Sequence, residues 1–224
     1  DYQAIINVVY GGNAVSTNGS PIMPVLSSYY QALEPYAYDP DAARKILEGA
    51  GYTADSSGNF PIKLGLIYSL QDPNASQYVS IIKDGAAKAG ITIDLQGMER
   101  NTWLAKANDG DFDIYAGDFA IMDDPVTNMT LTYLPGGVIN YSHVDDPKLN
   151  DLIKQAQVTT DQNVQIEKMQ EAAQVVHDNV YDNVMFTQNL AVAHSKSWSG
   201  FVIQPSELLS IINPVSIASA VKAK

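Results

Sequence analysis

The sequence predicts an α/β fold with a parallel-rich sheet flanked by helices, and three observations lead there. Apolar residues alternate in short runs, Ile62/Leu64/Leu66 and Ile91/Ile93/Leu95, with a third strand expected at Asp113–Ala116. That alternation is the period of a strand with two unlike faces. Helical patterns separate the runs, so the strands must cross over right-handed and pair in parallel. Finally, 224 residues can bury a real core, enough for one large domain or a domain with appendages.

The elements follow in order. Ala4, Ile5, Val8 and Val9 give Asp1–Tyr10 helical periodicity, and Gly11-Gly12 stops it. A chain opening on a helix in this way is expected to be a piece of something longer. Residues 13–38 are rich in Gly, Ser, Pro and Tyr without a clear period, which predicts an extended, irregular connection. In YDPDAARKILEGAGY, Asp39 is the expected N-cap, Pro40 the first helical residue and Gly51 the C′ stop. Ile46, Leu47 and Ala50 form its expected buried stripe. Asn74–Ala89 places Val79, Ile82, Ala86 and Ala89 on one face before Gly90 ends it, and a short helix begins near Glu99. Beyond residue 147 the pattern turns helical. Leu149, Leu152, Ile153 and Ala156 mark one helix; Ile166, Met169, Ala173 and Val176, capped by Asp161, mark a longer one. Asn183–His194 reads as a strand, and residues 196–224 as a tail without a strong period.

Composition excludes several classes. The formal charge is −12 and the arginines are Arg44 and Arg100, which disfavours nucleic acid and anionic membranes as partners. The plain reading of that charge is solubility. There is no cysteine, hence no disulfide and no thiolate metal site, in keeping with an exported protein. No apolar run approaches the ~20 residues of a membrane helix.

The three strands should end near Tyr68–Gln71, Gln96–Arg100 and Gly117–Asp124, on one edge of the sheet. Open α/β sheets bind ligands in the crevice at that edge. The crevice would offer the aromatic faces of Tyr68, Phe119 and Tyr115, the carboxylates of Glu99, Asp118, Asp123 and Asp124, and the guanidinium of Arg100. Ser69 and Gln71 add polar groups. The competing reading makes Asp123-Asp124-Pro125 a plain solvated turn.

Catalytic and metal motifs fail on inspection. Asp109, Asp111 and Asp113 start like a calcium loop, but Ile114 and Ala120 stand where Gly and Glu are needed. Ser80-Ile-Ile-Lys83 matches Ser-x-x-Lys without its partner motifs and lies in mid-helix. His143, His177 and His194 are too far apart for a helical metal pair. Neither a Gly-Lys-Ser/Thr phosphate loop nor Gly-x-Gly-x-x-Gly occurs, so no cofactor is expected, and no nucleophile–base pair supports a hydrolase.

Five segments in order carry a resemblance: IINVVYGGNAVSTNGSPIMP, YDPDAARKILEGAGY, LAKANDGDFDIYAGDF, NYSHVDDPKLNDLIKQAQ and GFVIQP. Together they resemble the C-terminal part of the peptide/nickel class (family 5) of extracellular solute-binding proteins that serve ABC importers. The resemblance implies a periplasmic-binding-protein-like lobe of the type II (cluster C) architecture, and a non-enzymatic role. Residues 1–195 would form the second lobe, with 196–224 returning toward an N-terminal lobe outside this sequence. It also implies an extracytoplasmic location, periplasmic or lipid-anchored, a peptide ligand and a membrane permease as partner. In peptide-binding relatives an Asp after the Gly-Asp-Phe-Asp strand captures the α-ammonium beside a Trp. Asp123 is the best match for that carboxylate and Asp124 the second, while Phe119 replaces the Trp. An Arg that some relatives carry after the first strand is replaced by Ser69 to Gln71, which leaves an oligosaccharide, nickel complex or other small solute as alternative ligands.

Overall fold

Three short strands pair in parallel in the computed structural model, in the order β3-β2-β4. The model describes residues 1–118, 124–189, 191, 193–202 and 213–222. The chain opens with α1 (Tyr2–Tyr10), capped by Asp1 and ended by Gly11 in the left-handed region. β1 (Ala14–Gly19) follows, then an irregular path to α2 (Pro40–Gly49). β2 (Lys63–Ser69), α3 (Ala75–Lys88), β3 (Thr92–Met98), α4 (Arg100–Asp109) and β4 (Ile114–Tyr115) make the expected βαβαβ run. β2 is central: Lys63 pairs with Thr92 through to Ser69 with Met98, and Leu66 and Ile67 pair with Ile114 and Tyr115.

Helices α5 (Pro125–Tyr133), α6 (Pro147–Val158) and α7 (Gln162–Asp178) then stack on one another. β5 (Val184–Gln188) returns to pair antiparallel with β1, and the tail holds β6 (Trp198–Ser199), α8 (Pro214–Ser219) and β7 (Val221–Lys222). No described helix is long and apolar enough to cross a membrane.

The core has two centres. One is the helical stack, where Met129, Leu149, Ile153, Met169 and Val176 are fully buried. The other lies under the sheet, where Leu66, Val79, Ile93, Ala75 and Ile5 meet. Burial of such side chains is the main favourable term, about 1.5–3 kcal/mol each.

Three differences from the sequence reading have physical causes. The connection expected to be irregular over 13–38 begins with β1, whose polar AVSTNG sequence hides a strand paired with residues some 170 positions away. The Ile46/Leu47/Ala50 stripe is not buried; α2 has no buried residue and Ile46 is 71% exposed, since α2 lies at the surface with α3 as its main neighbour among the described elements. The stop of that helix is as expected: Tyr52 N–H donates to Leu47 O and Gly51 N–H to Glu48 O, the paired bonds of a Schellman motif. Finally, Asp124-Pro125 opens α5, a helix the residue pattern did not reveal.

Candidate functional site

The parallel order puts the C-terminal ends of β2, β3 and β4 on one edge, and a hollow of about 170 Å³ lies there. Its walls come from the end of β2 and the turn after it (Ser69, Gln71, Asp72, Pro73), from α3 (Tyr78), from α4 (Arg100, Trp103) and from the residues after β4 (Ala116, Gly117, Asp118).

The turn after β2 is built by its own polar groups. Leu70 N–H donates to Met98 O, extending the pairing with β3. Gln71 N–H donates to Ser69 Oγ at 3.2 Å, and Ser69 Oγ donates to Gln71 Oε1. That same Oε1 accepts the backbone N–H of Arg100 at 2.8 Å, so Gln71 ties the β2 turn to the start of α4. Asp72 accepts Asn74 N–H and the hydroxyl of Tyr78, which fixes the start of α3 against the hollow.

The floor is aromatic. Trp103 is 3% exposed and Tyr115 stacks on it, with centroids 4.7 Å apart and planes 16° apart. Gly117 lies against the indole edge, where a Cβ would stand 2.6 Å from Trp103 Cζ2. Any larger residue at 117 would therefore push into the ring. Trp103 Nε1 is buried and has no hydrogen-bond partner among the described residues.

Among the described residues the electrostatics are anionic with one counter-charge. Burial, and then the Asp72 and Asp118 carboxylates, push Tyr10 up to about 12. Tyr78 is driven well above its usual value, first by burial and then by Asp72. Tyr115 is raised by burial, Tyr141 and Asp118, while the Arg100 guanidinium pulls it back. These tyrosines stay neutral near pH 7 and respond to the same small group of charges: Asp72, Asp118 and Arg100.

The expected residues separate accordingly. Ser69, Gln71 and Arg100 line the hollow, as does Asp118. Tyr68 does not: its ring lies over its strand partner Gly97, where a Cβ would stand 2.7 Å from the ring. Glu99 is the N-cap of α4 and accepts Asn101 N–H at 2.8 Å and Thr102 N–H at 3.4 Å. Asp124 is the N-cap of α5 and accepts Val126 N–H, Thr127 N–H and the Thr127 hydroxyl. Both carboxylates are thus turned to helix N-termini, where partial positive charge holds them. Phe119 and Asp123 lie outside the described residues. Sequence reasoning missed Asp72, Tyr78 and Trp103; the Asp72-Pro73-Asn74 turn signal was available for the first, but nothing local marked the other two.

The rejected motifs find structural roles. Asp113 Oδ2 accepts Gly65 N–H at 2.7 Å, and Lys106 pairs with Asp111. Ser80 Oγ donates to Ser76 O one turn back in α3. His177 is buried between Tyr36, stacked at 4.4 Å, and Glu34 O at 2.8 Å. Among the described residues no group of three His, Asp or Glu side chains could hold a metal ion.

An α/β unit with a polar, aromatic-floored hollow at the carboxyl edge of its parallel sheet defines a ligand-holding lobe. Residues 1–140 match the family model described as bacterial extracellular solute-binding proteins, family 5 middle, and the chain belongs to that family, whose members bind solutes rather than transform them. A probable D,D-dipeptide-binding periplasmic protein of Escherichia coli strain K12 is 28% identical over 215 residues, covering 92% of this chain and 39% of that protein. The chain thus spans about two fifths of the length of the curated relatives it matches. The oligopeptide-binding protein of Bacillus subtilis in complex with a nonapeptide superposes with TM-score 0.78 at 17% identity, over 100% of this chain and 45% of that one. A mannohexaose-bound periplasmic oligopeptide-binding protein of Thermotoga maritima gives TM-score 0.76 at 16% identity, over 92% of this chain and 42% of that one. These superpositions bear out the α/β lobe with a parallel sheet.

Proposed function

We propose that this chain is the second lobe of an extracytoplasmic receptor that captures short peptides for an ABC importer. One observation carries the reading: the hollow at the sheet edge sets two carboxylates, Asp72 and Asp118, near a single guanidinium, Arg100. A peptide is a zwitterion, and its ammonium and an oxygen-bearing end meet complementary charge there through charge-assisted hydrogen bonds. The dipeptide-binding name of the Escherichia coli relative supports the same ligand class. Asp123 remains the proposed ammonium-capturing carboxylate.

Residues 1–195 form the lobe on this reading, and 196–224 return toward an N-terminal lobe. Ligand bridging both lobes shifts an open–closed equilibrium, and the closed form docks on a membrane permease. The receptor works outside the cytoplasm, in the periplasm or anchored by lipid on the outer face. An oligosaccharide is the second reading, favoured by the mannohexaose-bound neighbour and the aromatic floor.

Calorimetry on the two-lobe receptor tests the proposal. Di- to tetrapeptides should bind, and Asp118→Asn and Asp123→Asn should each weaken them about tenfold or more. This lobe alone should bind them weakly, since half the pocket is absent. Micromolar binding by the lobe alone, or affinity for mannose oligosaccharides and none for peptides, would overturn the reading.

A further inference from the structure

The indole N–H of Trp103, a residue that lines the hollow, has no partner among the described residues. Its ring is explained: Tyr115 covers one face and Gly117 yields space at the edge. Its N–H is not. Trp103 is 3% exposed, Nε1 is out of contact with solvent, and no described acceptor reaches it. Leaving a buried donor unpaired is unfavourable, and an apolar aromatic residue would supply a floor without that cost. Two acceptors of the same hollow are already engaged. Gln71 Oε1 takes Ser69 Oγ–H and Arg100 N–H, and Asp72 takes Asn74 N–H and the Tyr78 hydroxyl. A buried donor on a hollow-lining residue, with no described acceptor bonded to it, is available to an acceptor that arrives from outside.

We infer that Trp103 Nε1–H donates a hydrogen bond to an oxygen of the captured peptide, making Trp103 a specificity-determining residue of the hollow. Arg100, on the preceding turn of α4 and lining the same hollow, supplies a second donor. Two donors from one helix then grip the oxygen-bearing part of the ligand, while Asp72 and Asp118 face its cationic part. The preference this builds is for a carbonyl, carboxylate or carboxamide oxygen at that wall, against a purely apolar side chain. A site made to hydrogen-bond its ligand rejects an analogue lacking the partner atom, because the protein group is then left buried and unpaired. The inference rests on the peptide reading above.

The test uses the two-lobe receptor, stripped of ligand and titrated with trialanine. This chain's tryptophans are Trp103 and Trp198; Trp198→Phe removes the second from the spectrum, and nuclear Overhauser contacts with the stacked Tyr115 ring mark the indole proton of Trp103. On binding, the Trp103 indole proton should move downfield and exchange more slowly with solvent. Trp103→Phe should weaken trialanine about 3- to 10-fold while keeping the far-ultraviolet circular dichroism of the parent. The wild-type resonance needs no mutant, so a poorly folded Trp103→Phe leaves the question decidable. Trialanine binding with an unmoved Trp103 indole resonance would overturn the inference and leave the peptide reading standing. Failure of di-, tri- and tetraalanine to bind at all would overturn both.

Discussion

Two isoleucines on amphipathic helices, Ile153 in α6 and Ile46 in α2, have opposite environments and should respond oppositely to the same truncation. Ile153 is 0% exposed, amid Met129, Leu149, Met169 and Val176. Ile153→Ala removes three carbons, worth about 2.4 kcal/mol at ~0.8 per buried methylene. The α5–α6–α7 stack collapses only partly around the gap, so the cavity adds to that and the total is about 3–5 kcal/mol. With a urea m-value of about 2 kcal/mol/M, the midpoint should fall by roughly 1.5–2.5 M. Ile46 is 71% exposed on a helix that has no buried residue. Ile46→Ala should move the midpoint by less than about 0.25 M, and helix propensity favours the alanine slightly. Urea melts of this chain followed by circular dichroism, with m held constant, measure both. Equal losses from the two substitutions would refute the assignment of the core to the three-helix stack.

Three further outcomes follow from single contacts. Asp124→Ala strips the cap from α5 and should cost about 1–2 kcal/mol, with Asp124→Asn retaining most of it, as read from urea midpoints. Gly90 has φ +82°, and a Cβ there would stand 2.6 Å from Gly58 O, so Gly90→Ala should lose at least about 2 kcal/mol in the same melts. Stability should also depend on pH through two aspartates with opposite sign. The Leu149 N–H and then the Tyr181 hydroxyl hold Asp146 below its usual range, so its contribution is present above the unfolded pKa and is lost as pH falls through the folded one. Burial raises Asp182, which takes the Tyr133 hydroxyl at 3.1 Å, so its penalty is absent in acid and grows as pH climbs from the unfolded toward the folded pKa. Melts from about pH 3 to about pH 7 should show Asp146→Asn flattening the acid limb and Asp182→Asn flattening the loss on the rising side.

What could be read from residue order was whatever short-range pattern encodes. The alternation in Leu64–Leu66 and Ile91–Leu95 reports two unlike sheet faces, and the β3-β2-β4 sheet has them where expected. Asp39-Pro40 announced α2 because cap and first turn are adjacent in sequence. The same Asp-Pro signal stands at Asp124-Pro125, where threonines at 127, 130 and 132 dilute the helical pattern of α5 and the acidic pair suggested ligand capture instead. Burial of a stripe was not legible. An amphipathic pattern says which face could be covered, while the cover itself, present on α6 and absent on α2, is a property of the whole fold. β1 was hidden for a related reason: its partner β5 lies at the other end of the chain, and Asn18, at φ +55°, breaks the register between Ser16 and Gly19.

The hollow shows why a cluster of acids at a sheet edge overstates the charge available to a ligand. Each strand of a βαβ unit feeds a helix, and each helix starts with N–H groups that no backbone carbonyl within it can satisfy. Carboxylates at those junctions are drawn into capping, as Glu99 and Asp124 are, and their charge is spent on the helix N-terminus. The acids left to act on a solute are those whose next helix is capped otherwise or begins further on. Asp118 precedes no described helix directly. Asp72 stands two residues before the N-cap of α3 and accepts Asn74 N–H with one oxygen, yet it also lines the hollow. Among the described residues the field in the hollow is therefore set by Asp72, Asp118 and Arg100, and a substitution at Glu99 should change stability through α4.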